Sequence, residues 1–225
     1  MKLEVYIPED LSEITLEQYQ RFEKLNTKDN ANTNFLLQKM VEIFCRIDLK
    51  DVANIKFSQV QDIAQHLDNV FSQKSELKKT FTLDGIKYGF IPKLDDISFG
   101  EYIDLDNYLG KWDEMHKAMS VLYRPITVGY SNKYGIEPYN GRINEAMRKA
   151  PLDVVMGAMF FFYSLSNELL RFTQSYLQRV LMSKEISQQV QDLEKNGGGI
   201  SQSMRLLKET LGDLTKSLPR DYISA

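Results

Sequence analysis

The sequence predicts a mainly α protein with a small antiparallel β-sheet, an α+β fold in which helices pack around one long apolar helix and a glycine-tethered C-terminal helix follows. Three observations predict it. Apolar residues recur at helical spacing in segment after segment of the 225 residues. Asp84-Gly85 stands between two extended apolar runs, the signature of a tight hairpin. Gly197-Gly198-Gly199 interrupts a polar stretch just before a last apolar stripe. A chain of this length buries one sizeable core or two modest ones without disulfides or metal.

Leu3, Val5 and Ile7 share one side of a short strand, which Pro8 ends. Thr15 followed by Gln18 forms a capping box, with Ile14 as the flanking staple, and Leu16, Tyr19, Phe22 and Leu25 supply the stripe of the helix it starts. The polar residues 26–34 read as a loop. A second helix covers residues 35–46, with Leu36, Leu37, Met40, Val41 and Phe44 inward. A third runs over residues 58–71 on Val60, Ile63, Ala64, Leu67 and Phe71. The hairpin at residues 81–88 accepts residues 3–7 as a third strand, giving a small sheet whose apolar side needs a helical cover.

The chain then repeats itself in outline. Ile7-Pro8 precedes Thr15-Leu16-Glu17-Gln18-Tyr19, and Ile91-Pro92 precedes Ser98-Phe99-Gly100-Glu101-Tyr102. Both copies hand a strand end to a helix through a capping hydroxyl and a Gln or Glu at the third helical position. Residues 111–123 form a helix with Trp112, Met115, Met119 and Leu122 on one side, stopped by Arg124-Pro125. Residues 130–141, rich in Gly, Asn, Pro and Tyr, read as an excursion and a contact surface.

The longest helix starts near Pro151, a residue suited to a first helical position. Val155, Met159, Phe162, Leu165, Leu169, Phe172, Tyr176 and Val180 line one side, and Glu168, Arg171, Gln174 and Gln178 the wet one. So broad an apolar surface belongs to the core or to an interface. Beyond the glycines, Ile200, Met204, Leu207, Leu211 and Leu214 make a heptad-like seam on a short helix. Such a helix is marginal alone, and it docks on its own body, on another copy or into a partner's groove. The organisation expected is a body over residues 1–195 and a glycine-linked helix and tail over residues 196–225.

Composition narrows the function. The 28 basic and 31 acidic side chains leave a formal charge of −3, against nucleic acid as the main partner. The strongest apolar run, residues 154–165, is too short for the roughly 20 residues of a membrane span. The first residues alternate rather than forming an apolar signal core, so no secretory signal is expected. Cys45, the only cysteine, reads as a small buried thiol. His66 and His116 have no HxxxH or HExxH spacing, and the acid pairs Asp95-Asp96 and Asp113-Glu114 occupy helix entries where they serve caps. Gly-x-Ser-x-Gly, Walker and dinucleotide patterns are absent. No catalytic residue, metal or cofactor is therefore assigned. What remains concerns association, and Tyr130, Tyr134 and Tyr139 in the excursion, with Met204, Leu207, Leu211 and Leu214 in the last stripe, are the candidate protein-binding residues.

Across residues 8–19, 97–102 and 155–170, and the run Ser120-Val121-Leu122-Tyr123-Arg124-Pro125, the chain resembles tail assembly chaperone-like proteins of tailed bacteriophages. The resemblance implies a non-enzymatic protein of the infected host cytoplasm. Its implied partner is the long tape measure protein, whose apolar helical surface it shields until tail-tube subunits polymerise around it. The competing expectation is a structural virion protein, a head–tail connector or ring subunit, whose homo-oligomeric assembly also needs apolar and aromatic interfaces.

Overall fold

The computed structural model describes residues 5–31, 33–130 and 133–182. It is an α+β fold with an open antiparallel sheet of four strands and several helices. Helix α1 (Leu16–Glu23) starts where Thr15 accepts from the Gln18 N–H and the Gln18 side chain accepts from the Thr15 N–H, closing the expected box. Helix α2 (Asn34–Phe44) is capped by Thr33, and a single turn, α3 (Leu49–Val52), separates it from α4 (Phe57–Phe71). Met40, Val41, Ile43 and Phe44 of α2 pack on the Val60, Ile63, Ala64, Leu67 and Val70 side of α4. Cys45 is buried at the end of α2, and burial pushes its thiol up to about 11.

Strands β1 (Thr80–Leu83) and β2 (Ile86–Phe90) form the expected hairpin. Asp84 and Gly85 take φ of 48° and 80°, as a two-residue primed turn requires. The third strand is a correction. Val5, Tyr6 and Ile7 adopt no strand, and β2 pairs instead with β3 (Tyr123–Tyr130), which leaves helix α6 (Met115–Leu122) without a connecting loop. Pro125 denies Arg124 helical geometry, and Ile126, Thr127 and Val128 then favour extension.

The expected excursion at residues 130–141 is likewise partly strand: β4 (Lys133–Ile136) pairs with β3 and completes the order β1-β2-β3-β4. A proline is tolerated inside this sheet because β3 changes partner at that point. Tyr123 to Pro125 pair with β2, and the pairing with β4 begins at Ile126, with a register shift between Ile126 and Val128. The Pro125 carbonyl accepts the Glu137 N–H at 2.9 Å, just past the end of β4, so the missing N–H of the proline falls where no strand needs it.

Helix α5 (Phe99–Tyr108) opens with the second capping box, Ser98 with Glu101. The two copies of the outline differ in how their buried third residue is held. Gln18 donates its amide to the Ile43 carbonyl at 2.7 Å, whereas Glu101 receives Arg124 Nη2 at 2.7 Å.

The last described helix, α7, spans Leu152–Met182. The chain divides into two compact units, residues 1–162 and 163–225. In the first, the opening turns of α7 bury Leu152, Val154, Val155 and Ala158, while Met159 and Phe162 are half-buried. In the second, the described part of α7 exposes Leu165 and Phe172. Among the described side chains of the apolar side expected to form the centre of the core, Val155 is buried, Met159 and Phe162 are half-buried, and Leu165 and Phe172 are exposed. The glycine run and the expected boundary at residue 196 lie outside the described residues. Among the described residues no helix is long and apolar enough to cross a membrane.

Candidate protein-binding surfaces

Helix α5 carries the strongest candidate surface. Its capping box turns Glu101 and Leu105 inward, and the next positions around the helix place Phe99 (78% exposed), Tyr102 (56%) and Ile103 (41%) outward as an i, i+3, i+4 stripe. The buried side is fastened by charge. Glu101 accepts the Ser98 N–H and hydroxyl, both at 2.7 Å, and pairs with Arg124. Burial alone would raise its pKa, but these donors and the Arg124 guanidinium hold it below the usual carboxylate value.

Arg124 also lies 5.9 Å from the centre of the Tyr139 ring, and its Nε and Nη1 are buried with no hydrogen-bond partner among the described residues. The Tyr139 hydroxyl donates to Asp104, and its phenol is pushed up to about 12, by burial first and then by that carboxylate. Two rings and a branched chain thus stand in water on one helix side, with an ion pair fastening the other. In the sequence Tyr102 is one of several candidate aromatic anchors, whereas Phe99 and Ile103 carry no such expectation. The available signal is that this helix carries apolar residues on two sides, Phe99, Tyr102 and Ile103 on one and Leu105 and Tyr108 on the other.

A second feature is an open cleft of about 580 Å³ at the end of the β1–β2 hairpin. Phe90, Ile91, Leu94, Leu77 and Phe161 form its apolar walls, and Lys79 and Lys93 stand in its lining. Tyr134 closes one side. Its ring occupies the space where a side chain on Gly89 would stand, and its hydroxyl lies 3.0 Å from the Lys79 carbonyl and 2.9 Å from that of Phe90.

The residues expected from the sequence to bind partners are dispersed. Tyr134 lines the cleft, with its hydroxyl engaged within the chain. Tyr139 is half-buried beneath α5 and tied to Asp104 and Arg124, so it supports the exposed stripe rather than joining it. Tyr130 ends β3, its backbone paired with Lys133. Met204, Leu207, Leu211 and Leu214 lie outside the described residues.

His116 forms a separate polar cluster. It is fully buried on α6, with Nδ1 3.3 Å from the Gln20 amide nitrogen, which also donates to the Trp112 carbonyl at 2.6 Å. Nδ1 therefore accepts, and Nε2 bears the proton facing Glu145 at 3.7 Å, beyond hydrogen-bond reach. Arg148 completes the cluster, donating to Gln20 at 3.2 Å and to Glu145 at 2.8 Å. Burial, then the Arg148 charge, holds the His116 pKa below its ordinary 6.5.

The folded state thus prefers neutral imidazole. The stability this confers is complete above the unfolded pKa and is lost as pH falls from about 6.5 toward the lowered folded value. Urea midpoints measured at pH 7.5 and 5.5 should drop more for the native chain than for His116→Gln, and an equal drop would exclude His116 as the source. His66, by contrast, simply bonds the Pro8 carbonyl at 2.9 Å. Among the described residues no three His, Cys, Asp or Glu side chains converge as metal ligands would.

Compared with family models, with curated proteins and with solved structures, the chain matches none.

Proposed function

We propose that this chain is a non-enzymatic protein-binding assembly factor, a tail assembly chaperone that covers the apolar helical surface of a tape measure protein in the infected host cytoplasm. The observation that carries the reading is the outward stripe of Phe99, Tyr102 and Ile103 on α5, held rigid from behind by Glu101 and Arg124. Exposed apolar residues in contiguous helical register are costly in water unless a partner covers them. Phe160, Leu165 and Phe172 of α7 add apolar surface of the same kind. In this reading α7 is the long apolar helix of the fold, and the glycine-linked seam of Met204, Leu207, Leu211 and Leu214 gives further cover to the client.

The test is capture from the native expression context with the native chain and with Phe99→Ser/Tyr102→Ser. Both residues are largely in water, so folding should change by no more than about 0.5 kcal/mol each. The native chain should retain a long helical tail protein, and the variant should retain at least tenfold less at unchanged helicity. Equal capture by the two would remove α5 as the binding surface. A homogeneous ring of this chain without a client would replace the chaperone with the structural ring subunit.

A further inference from the structure

We infer that the cleft bounded by Lys79 and Lys93 is an anchor site for an acidic amphipathic segment of a partner polypeptide: a large apolar side chain enters the cleft and neighbouring carboxylates meet the two ammonium groups. This rests on the protein-binding reading and adds the chemistry of the partner.

The walls, Leu77, Phe90, Ile91, Leu94 and Phe161, are apolar, and a cleft of about 580 Å³ has room for more than one large side chain. The charge around it has one sign. Lys79 and Lys93 line the cleft, no carboxylate does, and neither lysine has an ion-pair partner among the described residues. The adjacent Lys78, by contrast, is paired with Asp153. Asp95 and Asp96 follow Lys93 on a short helical turn but form no part of the lining.

Two other apolar clefts differ in this respect. One, walled by Phe22, Leu37, Met40 and Phe71, contains Asp68 and no basic residue, and another, walled by Val5, Ile7, Ile55 and Ile63, contains Asp51 and Asp62. A basic rim on an apolar cleft selects a ligand that is apolar at its tip and anionic beside it. Selection here opposes the whole-molecule field, because the chain carries a formal charge of −3. A polypeptide fits better than a single lipid carboxylate, because the cleft is open at the surface and the lysines belong to segments on either side of the hairpin.

The test uses two synthetic amphipathic helical peptides with the same leucine and phenylalanine anchors, one flanked by glutamates and its twin by lysines, titrated against the full chain by fluorescence anisotropy. The glutamate peptide should bind at least tenfold tighter than its twin, and more weakly as salt rises. Lys79→Glu/Lys93→Glu should reverse that preference at unchanged helicity, since both side chains are exposed. Equal binding of the twins, unaltered by the charge reversal but lost in Phe99→Ser/Tyr102→Ser, would overturn this inference and leave the protein-binding reading standing. Saturable binding of dodecanoate without either peptide would assign the cleft to an anionic lipid instead. Failure of both peptides and of client capture would overturn the two together.

Discussion

Glu101→Ala is expected to destabilise the protein by about 3–5 kcal/mol, the usual result of removing one partner from a buried ion pair. The two side chains are 7% and 13% exposed, so little solvent is available to take over the charge of Arg124. Two of the guanidinium nitrogens lack hydrogen-bond partners among the described residues, so beside the Tyr139 ring it is the Glu101 carboxylate that makes burial of the cation tolerable. The same change removes the acceptor of the Ser98 N–H and so loosens the start of α5.

Glu101→Leu/Arg124→Met, which removes both charges, should cost less than Glu101→Ala alone, although it deletes more interactions. Urea denaturation at constant slope measures both, and a change below about 0.5 kcal/mol for Glu101→Ala would show that the pair does not fasten α5. The pH dependence follows from the lowered carboxylate pKa. The contribution is present above the ordinary carboxylate value of 4.5 and disappears as pH falls through the lower folded one. The acid limb of the stability curve should therefore flatten in Glu101→Gln.

Gly157→Ala is the second large effect, and its sign opposes helix propensity. In a helix interior the exchange ordinarily gains up to about 1 kcal/mol. Here a β-carbon would stand 2.2 Å from the Glu76 carbonyl oxygen and 2.8 Å from its carbon, so α7 crosses residues 76–77 backbone to backbone. A backbone carbonyl cannot swing aside as a side-chain tip can, and the expected outcome is a net loss of about 1–3 kcal/mol. Leu77 and Phe161, on the two sides of that crossing, both line the basic cleft. The variant should accordingly bind the glutamate-flanked peptide more weakly even under conditions where it remains folded. A raised urea midpoint would show that the crossing accommodates a methyl group.

The glycine is visible in the sequence in the opening turns of the longest helical pattern, but its partner is not. The same holds for Glu101. Its role in the capping box with Ser98 was legible because both residues belong to one turn of chain, whereas its ion pair with Arg124 joins α5 to β3. Tyr134 and Tyr139 are expected as aromatic anchors because they belong to the excursion. The structure places one over Gly89 and the other under α5, contacts made through strand pairing and helix packing that no local pattern encodes. Phe99 and Tyr102 belong to a helix entry in the sequence, with Tyr102 also a candidate aromatic anchor, and which side of that helix faces water depends on what packs against the other.

From the amino-acid sequence follow the α+β class, through apolar periodicity along the chain, and the Asp84-Gly85 hairpin, both capping boxes and the stop before Pro125, which steric limits and hydrogen bonds within a few residues set. Only the tertiary structure shows that β2 pairs with β3 rather than with residues 3–7, that Leu165 and Phe172 of α7 stand in water, and that two lysines flank an apolar cleft. Those outcomes come from competition among apolar surfaces distant in the chain. Several pairings satisfy the local pattern, and the one adopted is selected by how much surface all the elements bury together.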